Sequence, residues 1–145
     1  MRALIERVEK ASCNINGEAH SSIEKGLLVY IAFEEGDNLE KIKKMAYKIQ
    51  KLRIFEDDEH KMNKSVEDIN GEILLISSFS LYGDALSGNR PSFTRSLKYS
   101  LSLPLYELMK REIEGIFGSI KSGVFGADMK IEAINDGPVS IIIDL

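Results

Sequence analysis

Three hydroxyls crowd into Ser77-Ser78-Phe79-Ser80-Leu81, at the end of the apolar run Ile73 to Ile76. A second unusual segment, Asn135-Asp136-Gly137-Pro138-Val139-Ser140, leads into the apolar tail that ends at Leu145. Both put small, polar or conformationally special residues where a plain core strand carries Val or Ile. Serines suggest acyl transfer, as nucleophiles or as hydrogen-bonding groups. Gly-Pro suggests something else: glycine reaches backbone angles closed to other residues, and an X-Pro bond takes the cis form at a cost of about 0.5–1 kcal/mol. Such a pair can present two rigid carbonyl oxygens and recognise a ligand with backbone alone. Each segment also has a plainer reading. Buried serine hydroxyls must find partners, and neighbouring backbone at a strand end can supply them. Asn135 to Pro138 can be a tight turn between the last two strands.

Other chemistries find little support. A histidine-activated serine would normally advertise itself with Gly-x-Ser-x-Gly, which is absent. The two histidines are His20, near an expected strand, and His60, in the acidic run Glu56-Asp57-Asp58-Glu59. Two histidines and the single Cys13, all distant in sequence, give no zinc-ligand spacing. The acidic run lacks the alternating ligands and central glycine of a calcium loop. No glycine-rich phosphate loop is present.

The elements that must position these residues can be read from periodicity. Arg2 to Val8 is expected as a strand, with Gly17 in a hairpin turn before Ala19 to Ile23. Leu27 to Phe33 is a continuous apolar run, suited to a strand buried on both faces. Asp37 with Glu40 resembles a capping box, and Leu39, Ile42, Met45, Ala46, Ile49 and Leu52 form the apolar stripe of a helix over 38–52. The lysines at 41, 43, 44, 48 and 51 then fall mostly on its wet faces. Residues 56–71 read as surface loop and Ile73 to Leu81 as a strand. On that strand Ser78 and Ser80 share the face of Leu74 and Ile76, and Ser77 and Phe79 the opposite one. Residues 83–94 are irregular. Ser102 and Pro104 can open a second helix that ends near Gly115 and Gly118. Met129, Ile131 and Ala133 alternate with Asp128, Lys130 and Glu132 as a half-wet strand, and Val139 to Leu145 forms the last. The order predicts one α+β domain over residues 1–145, with a mainly antiparallel or mixed, barrel-like sheet and two main helices.

The whole-chain balance agrees with such a domain. Its 145 residues are 43% hydrophobic and 29% charged, ordinary for a packed domain rather than a disordered chain. Net charge is −4, which argues against coating DNA or RNA through a broad basic surface but leaves room for a local patch. Charge arrives too early in Met1 to Arg7 for an apolar leader, and no run approaches the roughly 20 apolar residues of a membrane helix. One cysteine excludes an intrachain disulfide. A cytoplasmic protein without membrane contact is expected.

Taken in order, the motifs resemble the D-aminoacyl-tRNA deacylase family of the bacterial and eukaryotic type. The similarity spans nearly the whole chain. It runs through Met1 to Val8, Gly26-Leu27-Leu28-Val29, Arg53-Ile54-Phe55, Lys61-Met62-Asn63, Ser77 to Leu81, Arg90-Pro91-Ser92-Phe93, Phe125-Gly126-Ala127-Asp128-Met129 and Asn135 to Ser140. Where the family's strand motif reads Ser-Gln-Phe-Thr-Leu, this chain has Ser78 and Ser80, and Ser140 stands where the tail motif has Thr. The Thr-to-Ser changes keep a hydroxyl, whereas the lost Gln removes an amide and puts a role for the side chain at 78 in doubt.

The resemblance implies a homodimeric esterase, without cofactor or metal, that removes D-amino acids and glycine from the 3′ end of tRNA. It implies a cis Gly137–Pro138 bond whose carbonyls reach into the partner's site and hold the substrate's amino group, so that an L side chain clashes. Arg7 would hold that loop. Backbone N–H groups around Phe79-Ser80 and at Ala127 would stabilise the oxyanion. Ser77 and Ser78 would contact substrate, and Phe125 and Met129 would shape the pocket for the terminal adenosine. Ser80 is either a nucleophile or a positioning group. Lacking a histidine base, positioning is the preferred role, with the 2′-hydroxyl of the terminal ribose assisting. Two rivals stand beside this: a non-enzymatic RNA- or nucleotide-binding module on the same fold, and a relative with a trans Gly-Pro bond and relaxed chiral selection.

Overall fold

The computed structural model describes residues 1–145. Strand β1 (Arg2–Ile15) turns at Asn16-Gly17, both with positive φ, into β2 (Glu18–Ile23). Two left-handed residues in a two-residue loop match the right-handed twist of the flanking strands. β3 (Gly26–Ala32) runs antiparallel to the first half of β1, from Arg2↔Ala32 to Val8↔Gly26. Helix α1 (Leu39–Lys51) follows, then the short pair β4 (Phe55–Glu56) and β5 (Met62–Lys64). β6 (Glu72–Ser77) lies parallel to β3. Helix α2 (Tyr99–Phe117) leads to β7 (Lys121–Ser122), parallel to β6, and β8 (Met129–Asp144) closes the chain.

Parallel neighbours need a crossover, and α1 and α2 are the two crossovers. Both helices pack against each other and bury their stripes on one face of the sheet. There Ala3, Ile5, Leu27, Val29, Ile31, Ile73 and Leu75 meet Ile42, Met45, Ile49, Tyr106, Met109 and Ile113. Residues of opposite parity, Leu28, Leu74 and Ile76, form a second core with Val8, Ala11, Cys13 and Ile23. The sheet order is β2-β1-β3-β6-β7, and its two ends approach each other where Ser21 Oγ donates to the Ser122 carbonyl at 3.0 Å. The expected mixed, barrel-like α+β sheet is therefore what forms.

β1 serves both cores. Val8 and Ala11 are three apart and would face opposite ways on a regular strand. A register shift between Val8 and Lys10 inserts one residue and brings both onto the second core.

Four local expectations are corrected. Asn38, not Asp37, caps α1, its Oδ1 accepting from the Lys41 N–H at 3.1 Å. The Asp37 side chain is instead buried, its carboxylate accepting from the Met1 amino group at 2.6 Å, the Glu34 N–H at 2.9 Å and Lys41 Nζ at 3.2 Å. Strand β6 stops at Ser77, and a 3-10 turn spans Phe79–Tyr82 with Ser78 as its cap, so period-two alternation fails beyond Ser77. Helix α2 begins at Tyr99, and Pro104 sits in its second turn, at the loss of one backbone bond. Asn135 to Pro138 is not a turn between two strands: β8 is one strand paired with β1 from Ile15↔Met129 to Arg2↔Asp144. No helix is long and apolar enough to cross a membrane.

Candidate active site

The parallel strands β3 and β6 end together, held by the Ser78 N–H donating to the Ile31 carbonyl at 2.9 Å. Beyond their carboxyl ends, where α/β sheets commonly bind ligands, lies a cavity of about 410 Å³. Its floor comes from Ile31, Ala32 and Phe33 and from Ser77 to Ser80. A strap over residues 93–97 docks on β3 through the Leu97 N–H, which donates to the Phe33 carbonyl at 2.8 Å. Tyr99 and Ser102 of α2 and the Phe125–Ala127 loop, with Met129, complete the wall. Ser102 Oγ donates to the Leu97 carbonyl at 3.0 Å and fixes strap to helix.

Aromatic edges set the cavity's shape. Phe79 and Phe93 meet edge to face with centroids 5.0 Å apart, and Tyr99 meets Phe125 at 5.1 Å. Tyr106 backs Phe125 at 5.4 Å while its hydroxyl donates to the Leu75 carbonyl at 3.0 Å. Burial pushes the Tyr106 phenol well above its ordinary pKa, so it stays a neutral donor. Gly126 has φ +79°, and a Cβ there would lie 2.5 Å from the Tyr99 ring. Only glycine lets the loop pass beneath that ring.

No lining residue carries a charge or an imidazole. His60 is an exposed partner of Glu56 at 3.2 Å, and exposed His20 lies on β2; neither lines the cavity. Ser78 Oγ and Ser80 Oγ lie 3.1 Å apart, so Ser80's side-chain partner is another hydroxyl rather than a base. Phe79 and Ser80 open the 3-10 turn, and the first N–H groups of such a turn have no partner within it. Both residues line the cavity floor. The Ala127 N–H, expected as a third donor, instead closes a turn onto the Val124 carbonyl at 3.2 Å. Ala127 contributes wall and not a donor.

The structure thus gathers Ser77, Ser78, Phe79, Ser80, Phe125, Ala127 and Met129 around one cavity. Arg7, Gly137 and Pro138 form a separate cluster. Between the pairs Glu6↔Ser140 and Val8↔Asn135, β1 contributes only Arg7, whereas β8 contributes residues 136–139. Arg7 is buried; its Nη1 donates to the Ile54 carbonyl at 2.7 Å and its Nε to the Asp136 carbonyl at 3.1 Å, with the Asp136 carboxylate 3.0 Å away. Gly137, with φ +117° and a cis bond to Pro138, bulges outward with both residues exposed. The trans alternative is not what is found.

A family model described as D-Tyr-tRNA(Tyr) deacylase matches residues 4–144. The chain belongs to this family. A "D-aminoacyl-tRNA deacylase" of Flavobacterium psychrophilum is 46% identical over 145 residues, covering 99% of this chain and 97% of the relative. A solved structure called "c-Myc DNA Unwinding Element Binding Protein" superposes with a TM-score of 0.94 at 34% identity, covering 100% of this chain and 99% of that one. Another, of a probable eukaryotic D-amino acid tRNA deacylase, reaches 0.86 at 17% identity over 99% of this chain and 98% of its own, a likeness of fold. As a deacylase-family member, an enzyme of the hydrolase class, the chain carries its motifs on the cavity floor and the β8 bulge.

Residues that sequence reasoning passed over are Ile31, Ala32 and Phe33 of the floor and Ser96, Leu97, Tyr99 and Ser102 of the wall. The wall's one local signal is the pair of apolar residues Leu97 and Tyr99 on either side of Lys98, which a helix-or-strand reading of that irregular stretch has no reason to select.

Proposed function

We propose that this chain hydrolyses the ester of D-aminoacyl-tRNA, and of glycine mischarged on tRNA, releasing free amino acid and tRNA. The observation that carries the proposal is a cavity with backbone donors and no charged side chain. An aminoacyl ester is already activated, so a placed water and a stabilised oxyanion suffice. Water attacks the carbonyl carbon and the charge moves to the carbonyl oxygen. The Phe79 and Ser80 N–H groups receive it, and the ester C–O bond then breaks to free the ribose oxygen. One such donor is worth about 10²–10³ in rate. No lining side chain is a base, so the proton of the water passes through the 2′-hydroxyl of the terminal ribose to the departing ribose oxygen. Ser80 positions, Ser77 and Ser78 contact substrate, and Phe125 and Met129 hold the adenosine.

Chirality is read by Gly137 and Pro138 of a second copy. Met129 lines the cavity, yet Asn135, next to the bulge, lies roughly 20 Å further along the same extended strand at about 3.3 Å per residue. The bulge is therefore badly placed for its own chain's cavity, while its exposure and its anchoring by Arg7 support a role in a partner's. Its carbonyls hold the substrate's amino group, and an L side chain would be driven into backbone. This reading makes the active species a homodimer acting in the cytoplasm.

The deciding assay is release of tyrosine from D- and L-tyrosyl-tRNA in the presence of chelator. Fast loss of the D ester alone is expected. Loss of both esters would remove the chiral reading, and loss of neither from folded protein would remove the enzyme. The printed name of the 34%-identical structure gives a second reading its footing, a nucleic-acid-binding module without turnover. Catalytic release of D-tyrosine eliminates it.

A further inference from the structure

Residues 85–106 contain no acidic side chain, in a chain whose net charge is −4. The stretch carries Arg90, Arg95 and Lys98. Arg95 is already committed, 3.0 Å from Glu34 and 4.9 Å from the Tyr82 ring centroid. Arg90 and Lys98 are exposed and join no ion pair.

Their positions are tied to the cavity mouth. Asp84 and Ser92 exchange backbone hydrogen bonds of 2.8 and 2.7 Å, which closes residues 85–91 into a projecting arm. Arg90 stands on this arm, as does Leu86, which is 93% exposed. The arm's base continues into Phe93, a wall residue in contact with Phe79. Lys98 lies between Leu97 and Tyr99, both of which line the cavity. The rings of Phe79 and Tyr99, which line the same cavity, are each 60% exposed. Cations beside exposed rings are what a single nucleic-acid strand needs, phosphates on the one and bases on the other.

We infer that this lip, with Arg90 and Lys98 as its two phosphate contacts, receives the single-stranded 3′ end of the RNA whose last nucleotide enters the cavity. The inference rests on the proposed deacylase reading, and it adds where the polynucleotide lies. Lys43, Lys44 and Lys48 of α1 also lack acidic partners, but no residue of α1 lines the cavity. They serve as the control.

The test compares Arg90→Gln/Lys98→Gln with wild-type protein on D-tyrosyl-tRNA and on D-tyrosyl-adenosine, the same ester without phosphates, across a salt series. On the tRNA, kcat/KM of the variant is expected to fall roughly tenfold at low salt. The slope of log kcat/KM against log salt should shrink by about 1.4, at roughly 0.7 for each single-strand phosphate that the protein no longer neutralises. Turnover of the adenosine ester should be unchanged, which also shows that the variant is folded. Lys44→Gln/Lys48→Gln should match wild type on both substrates. An unchanged slope on tRNA, equal losses on both substrates, or an equal effect of the α1 control would overturn the inference. If wild-type protein hydrolyses neither ester, the deacylase reading falls on its own. The lip is then judged by anisotropy with uncharged tRNA: salt-dependent binding weakened only by the lip variant sustains it, and equal binding by all three proteins overturns it.

Discussion

Replacing Arg7 with Met keeps the aliphatic stem and removes every donor. Arg7 bridges the Ile54 carbonyl at 2.7 Å and the Asp136 carbonyl at 3.1 Å, with the Asp136 carboxylate at 3.0 Å. Hydrogen bonds to charged groups contribute about 1.5–3 kcal/mol each, so two of them bound the loss at about 3–6 kcal/mol. The lower end applies, because the exposed bulge can turn the Asp136 carbonyl toward water. At about 2–4 °C per kcal/mol for a domain near this size, a loss of about 3 kcal/mol lowers Tm by roughly 6–12 °C. Arg7→Lys keeps the charge but not the fork, and should recover about half of that. The functional readout is separate. Held well below the variant's Tm, kcat/KM on D-tyrosyl-tRNA should fall by about 10²-fold, the scale of a misplacement near 1 Å, with D/L selectivity falling too. A Met variant that melts within 2 °C of wild type would refute the energetic reasoning, at the roughly 2–4 °C expected per kcal/mol. One that melts early yet keeps full rate and selectivity would refute the link between this anchor and the site.

Ser80→Ala should keep activity within about tenfold, since the donors proposed for the oxyanion are backbone; a loss beyond about 10³, the scale of a missing oxyanion donor, together with an acyl-enzyme trapped on wild-type protein, would make Ser80 the nucleophile. Gly126→Ala places a Cβ against the Tyr99 ring at 2.5 Å in a left-handed conformation, so kcat/KM should drop while Gly115→Ala, with no atom within 4 Å, leaves it unchanged; equal behaviour of the two would contradict the packing argument. Light scattering should give twice the chain mass of 16.3 kDa, and a fully active monomer would sink the shared site. Arg2 holds the Asp144 carboxyl below the usual range through bonds of 2.7 and 3.1 Å. A depressed folded pKa stabilises above the ordinary aspartate value of about 3.9 and stops doing so as pH falls through the lower folded value. The Tm gap between wild type and Asp144→Asn should thus be small at pH 7, as for an exposed pair, and vanish in acid; a gap that widens in acid would reverse the sign.

The elements that were legible in the sequence are those where one period dominates. The Leu27 to Phe33 run became the doubly buried β3, and the stripe from Ile42 to Ile49 became the buried face of α1. Legibility ended where long-range partners decide. No change of periodicity says that β6 stops at Ser77; the last ladder bond, from the Ser78 N–H to Ile31, and the 3-10 turn that follows it do. Asn135 to Pro138 has every mark of a turn, and only pairing with β1 on both sides makes it a bulge in one strand. Asp37 has the right spacing for a cap, but the Met1 amino group claims it. The serines and aromatics of the floor were visible as a motif. The strap and α2 wall were not, because their contribution depends on docking against Phe33 and Phe125.

The bulge that lets β1 serve both cores has a consequence for how the molecule comes apart. β1 pairs with β2, β3 and β8, and its two halves sit in different hydrophobic clusters. Neither cluster can open without breaking a strand the other needs. Sub-global opening therefore has no hinge line to follow, and loss of the helix layer and loss of the barrel interior become one event. Amide exchange should be slowest in β1, at the free energy of complete unfolding, with the arm over residues 85–91 exchanging freely at the opposite extreme. Strand β1 and the lip of the cavity would then stand at the two ends of the molecule's stability range.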